Sequence, residues 1–146
     1  MVIQYNLDIK KIFFGFLTIF ILLSLVSCGK NIAFQNSSIV PAAQGNVSIK
    51  KDSNKNYSIK IKILNLAEVN RLQPPKNVYV VWMETKDAVV KNIGQIKSDT
   101  AFFSSKLKAD FETVTSFEPS KIFITAEEDA DVKYPGMQLV LSTNRF

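Results

Sequence analysis

Residues 57–63 read Tyr-Ser-Ile-Lys-Ile-Lys-Ile and alternate apolar with polar without a slip. Side chains along a strand point to opposite faces in turn, so one face receives Tyr57, Ile59, Ile61 and Ile63. The other receives Ser58, Lys60 and Lys62. A helix would scatter those isoleucines around its circumference, so the stretch predicts a half-buried strand. A strand of this kind cannot stand alone, because its apolar face and its backbone groups both need partners.

The neighbouring sequence supplies candidates. Val47 and Ile49 alternate with Ser48 and Lys50, and Lys51-Asp52-Ser53-Asn54-Lys55-Asn56 makes a polar turn into the strand at Tyr57. Leu64-Asn65-Leu66 breaks the phase, and Arg71-Leu72-Gln73-Pro74-Pro75 reads as an extended link. Val78 to Met83 is apolar on both faces, which suits a central strand covered on each side. Thr85 to Ala88 turns the chain and Val89 to Ile96 returns it, with Gly94 as the expected bulge or close approach. Ser98-Asp99-Thr100 turns again. Further strands are expected around Phe103–Phe111, Ile122–Ala126 and Met137–Thr143. About seven short strands without a sustained helical period predict an all-β fold. With a single cysteine in the chain, that is a disulfide-free, immunoglobulin-like antiparallel β-sandwich.

The first residues obey a different rule. Lys10 and Lys11 precede an almost unbroken apolar run from Ile12 to Val26, and Ser27-Cys28 closes it. A basic start, an apolar middle and a small residue before the end are the parts of a secretory signal. Leu25-Val26-Ser27-Cys28 resembles the lipobox of bacterial lipoproteins. That resemblance implies cleavage before Cys28, diacylglyceryl transfer to the Cys28 thiol, and a chain held in the membrane by lipid. The competing readings are an uncleaved spanning helix, for which the run is a little short, and a buried helix of a soluble protein. The expected division is a signal peptide over 1–27, a flexible lipidated tether over 28–45 and the sandwich over 46–146. Gly29-Lys30-Asn31 carries no acidic sorting residue, so the resemblance points to the cell envelope, at the outer membrane facing the periplasm.

Composition removes several chemistries. The chain has no histidine and one cysteine, so a Ser-His-Asp or Cys-His catalytic set and a Cys/His zinc site are not available. A formal charge of +5 is mild and its lysines are scattered in sequence, which argues against nucleic acid as a partner.

The middle of the chain carries a second resemblance. Tyr79-Val80-Val81-Trp82 after Pro74-Pro75, then Ile93-Gly94-Gln95-Ile96, then Ile122 to Glu127 and Tyr134-Pro135-Gly136, resemble the extracytoplasmic C-terminal domain of anti-sigma-K factors. Glu128-Asp129-Ala130-Asp131 stands where that family has a Pro and a Gly-Gly turn. With 11 residues before the apolar run, the chain is expected to lack the sigma-binding part. The resemblance therefore implies a fold and an envelope setting, and it transfers no catalytic residue.

Four groups of residues merit weighing as sites. Glu127, Glu128, Asp129 and Asp131 could offer oxygens to calcium, but they lack the spacing of a calcium loop and suit a solvated loop better. Lys50, Lys51, Lys55, Lys60 and Lys62 could meet anionic headgroups or glycans, or they keep a sheet from pairing edge to edge. Tyr79, Trp82, Phe102, Phe103, Phe111, Phe117 and Phe123 could line a groove, although aromatics at strand spacing are more often core. Glu84, Asp87 and Asp110 offer no spacing that singles out a catalytic pair. The expected function is a lipid-anchored periplasmic binding domain, not an enzyme, with no cofactor and no metal. Its partners would be the membrane through Cys28 and an envelope protein or glycan. The alternative is a sensor of a small ligand or calcium.

Overall fold

A computed structural model of the chain describes residues 29–96, 99–100 and 107–146. The Ile12–Val26 run, Cys28, Phe102 and Phe103 lie outside the described residues.

The described chain is a two-layer β-sandwich. Its strands are β1 (Lys30–Ala33), β2 (Gln44–Lys51), β3 (Tyr57–Leu64), β4 (Val78–Thr85), β5 (Val90–Ile96), β6 (Asp99–Thr100), β7 (Leu107–Thr115), β8 (Pro119–Glu127) and β9 (Leu139–Ser142). A short 3-10 turn at Val69–Arg71 interrupts the link between β3 and β4. One sheet has the order β1-β2-β3-β7-β6 and the other β5-β4-β8-β9, with every pairing antiparallel. That order is immunoglobulin-like: β2, β3, β7 and β6 form one layer, and β4, β8 and β9 the other. β5 flanks β4, and β1 is an added edge strand.

The alternation over residues 57–63 carries straight into packing. Tyr57, Ile59, Ile61 and Ile63 are buried between the layers, while Lys60 and Lys62 are exposed. Across the gap they meet Tyr79, Val81 and Met83 of β4 and Ile122, Ile124 and Ala126 of β8. β4 is covered on both faces, as its continuous apolar run requires. The register of β4 against β5 slips between Val81 and Trp82, so Ile93 is an extra residue beside Gly94. Gly94 has a φ of +136°, and a Cβ there would sit 2.8 Å from the Phe111 ring. A β-bulge beside a glycine is how this edge strand bends in to meet β7.

Within the segment expected as a flexible tether, residues 30–43 pack on the sandwich. Residues 30–33 pair with β2, with Lys30 opposite Ile49 and Ala33 opposite Asn46. The Phe34 amide then donates to the Gly45 carbonyl and the Gln35 amide to the Ser142 carbonyl, so the chain crosses from one sheet to the other. The Ser37 hydroxyl, itself buried, accepts from the amides of Ile39 and Val40. This local turn drives Val40 and Ala43 into the core. A few aliphatic residues placed by a serine turn are enough to dock a segment whose composition reads as a linker. The strand at Asp99–Thr100, expected as a turn, pairs with Leu107–Lys108 of β7.

Candidate functional site

Antiparallel connection places the turns of a sandwich at two poles. One pole gathers Gly29 and the start of β1, the β2–β3 turn (52–56), the β4–β5 turn (86–89), the β7–β8 turn (116–118) and Phe146. Cys28, the expected lipid site, precedes this pole directly in sequence but is not itself described. A Cβ on Gly29 would lie 3.2 Å from the Lys50 side chain, so the residue after Cys28 is packed against the β2 edge.

Lysines dominate this pole. The Lys30 ammonium lies 4.8 Å from the centre of the Phe146 ring, Lys51 lies 5.1 Å from that of Tyr57, and Lys91 lies 4.0 Å from that of Phe117. Each cation is held near an aromatic face, an attraction that keeps the charge close to the surface without neutralising it. Lys86 pairs with Glu118 at 2.5 Å. The pair holds the Glu118 carboxyl below the usual carboxylate range and the Lys86 ammonium above its own. The Tyr57 hydroxyl likewise raises Lys51. Lys30, Lys51, Lys86, Glu118, Tyr57 and Phe146 border an open cleft of about 430 Å³.

The lysines of the β2–β3 hairpin therefore divide. Lys60 is paired with Glu112 of β7 at 2.8 Å, and Lys62 stands opposite Asp110 in the register, both in mid-sheet. Lys51 and Lys55 belong to the pole. Sequence alone could not separate these two groups, because the partners of Lys60 and Lys62 come from a strand some 50 residues on.

The aromatics also divide. Tyr79 is in the core between the layers and donates to the Ala67 carbonyl at 2.9 Å, and burial pushes its phenol up to about 12. Trp82 points the other way, out of the sandwich, yet is fully buried. It stacks on Phe123 with ring centres 6.2 Å apart, and its indole N–H donates to Thr125. Phe111 packs against the core and Phe117 is exposed on the β7–β8 turn. Among the described residues, no groove collects them.

At the opposite pole the acidic stretch disperses. Glu127 is buried and accepts from the Thr125 hydroxyl and the Gly136 amide. Glu128 pairs with Lys76 at 2.8 Å and accepts from Asn77. Among the described residues no group of three or more Asp, Glu, His or Cys could hold a metal ion. Glu84 is paired with Arg145, Asp87 is exposed on the β4–β5 turn, and Asp110 faces Lys62, so these three do not form a catalytic pair. A second cleft, about 500 Å³, lies near Ile39, Pro74, Lys76, Glu127, Met137 and Gln138, and the buried Oε1 of Gln138 has no hydrogen-bond partner there.

Comparison of the chain with protein-family models, curated proteins and solved structures finds no match. Among the described residues, no helix is long and apolar enough to cross a membrane.

Proposed function

We propose that this chain is a lipid-anchored binding domain of the bacterial cell envelope, held by acyl chains on Cys28 and acting without catalysis through an envelope protein or glycan. The observation that carries the reading is the junction at Cys28. Leu25-Val26-Ser27-Cys28 ends the apolar run with a lipobox-like sequence, and an ordered sandwich begins within two residues of it. Lipid on a thiol at that point needs no further membrane element to retain the domain, provided more than one chain is added. The basic pole next to Gly29 suits a headgroup surface, and the resemblance to anti-sigma-K extracytoplasmic domains agrees with a periplasm-facing setting, as on an outer membrane.

Growth of producing cells with labelled palmitate, followed by fractionation, tests this reading. The chain is expected in the membrane fraction with label, and Cys28→Ala is expected to lose the label and leave that fraction. Label that persists in Cys28→Ala would defeat it.

A second reading draws on the cleft beside Glu127. The unpartnered Gln138 oxygen asks for a donor, and Lys76 and Glu127 flank it, so a small ligand bearing an N–H or O–H group fits. A thermal-shift screen of cell-wall fragments separates the two, with a flat response counting against the sensor.

A further inference from the structure

We infer that the Gly29 pole is a membrane-contact surface. Its lysines sit over anionic phospholipid headgroups of the membrane that holds Cys28, and Val89 and Phe117 enter the interface. The inference rests on the reading of Cys28 as the anchor, and deepens it by fixing how the domain is oriented.

Chain length is the first support. β1 begins at Lys30, so only Gly29 separates it from Cys28, and a residue spans at most about 3.6 Å. A docked β1 cannot lift the domain away from the bilayer as a free tether would. Whatever lies at this pole lies at headgroup level.

Composition of the turns is the second. Val89 in the β4–β5 turn and Phe117 in the β7–β8 turn are each 49% exposed, at the tips of neighbouring connections. Lys86, Lys91, Lys51 and Lys55 surround them, with Lys91 directly over the Phe117 ring. Apolar tips within a ring of lysines match the two components of interfacial binding, buried apolar area and attraction to anionic lipid. Of the nearby carboxylates, Glu118 is paired with Lys86 and Asp52 accepts from the Asn56 amide at 2.8 Å, while Asp87 is exposed on the β4–β5 turn. Glu128, Asp129 and Asp131 lie in the β8–β9 connection, outside this set of turns.

The test uses the unacylated chain from residue 28 with Cys28→Ser, which retains every described strand and core residue. Trp82, the only tryptophan, is fully buried and gives a constant background, so Phe117→Trp, Val89→Trp and Tyr134→Trp can each report locally. Vesicles are equal parts phosphatidylglycerol and phosphatidylcholine, against pure phosphatidylcholine. Phe117→Trp and Val89→Trp are expected to shift to the blue on the anionic vesicles and to be quenched by brominated lipid, with added salt reversing both. Tyr134→Trp, 83% exposed in the β8–β9 connection, is expected to stay unchanged. Lys86→Gln and Lys91→Gln should each weaken partitioning on the order of fivefold. No shift at either tip, or an equal shift at Tyr134→Trp, overturns the surface. Mass analysis of the chain from membranes reads the anchor separately. An acylated Cys28 with silent tips refutes the orientation alone, and shifted tips with an unmodified Cys28 refute the anchor alone.

Discussion

The indole N–H of Trp82 donates to the hydroxyl of Thr125 at 2.7 Å, on the face of the β4–β8 pair that points away from the interior of the sandwich. The Thr125 hydroxyl in turn donates to the Glu127 carboxylate, which also accepts from the Gly136 amide. A cross-strand pair thus becomes the floor of a polar network under the β8–β9 connection. Asn92 ties the same connection down by donating to the Ala130 and Val132 carbonyls. The outer face of this sheet is buried because that connection is bonded across it.

Removing the middle of the network should be costly. Thr125→Val keeps the shape but leaves the indole N–H and the Glu127 carboxylate short of partners in a buried place. The expected loss is about 1–3 kcal/mol in urea unfolding, with no change of slope. Thr125→Ser, which keeps the hydroxyl, should recover most of it.

The docked segment before β2 makes an equally direct prediction. Val40 is buried at 7% exposure, so Val40→Asp places an unpaired charge in the core and should cost about 3 kcal/mol or more. A flexible tether would tolerate the same change within about 0.5 kcal/mol.

How much of this was legible in the sequence depends on where the information sits. The strand at Tyr57, the doubly covered run at Val78 and the bulge beside Gly94 could be read because each is a local pattern of faces or of backbone freedom. Residues 30–43 could not, since β1 is an exposed edge strand with no alternation, and Val40 is placed by the Ser37 hydroxyl and not by periodicity. The basic pole was hidden for another reason. Lys30, Lys51, Lys86 and Lys91 come from separate strand ends, and only the antiparallel topology brings those ends together.

Gly94 should not accept a side chain. Its positive φ and the 2.8 Å approach of Phe111 both oppose Gly94→Ala, which should destabilise by about 1–3 kcal/mol. Pairing it with Phe111→Leu in a double-mutant cycle should return the steric part and leave the backbone part.

Alkaline pH should reveal Tyr79. Its phenol is raised from 10.0 to about 12 by burial, so the neutral form is favoured in the folded state. Its contribution to stability is complete below about pH 10 and is lost as pH rises from there through about 12, an effect on the order of 2 kcal/mol. Tyr79→Phe should flatten the stability profile across that window, and ultraviolet titration should lose its latest phenolate step.

Anchoring turns on Cys28, and the intact mass of the chain purified from membranes tests it most directly. The expected species begins at Cys28 and carries a diacylglyceryl group on the thiol, with a third acyl chain on the new amino group where the cell adds one. A chain that retains residues 1–27, or one that begins at Cys28 with a free thiol, would contradict it.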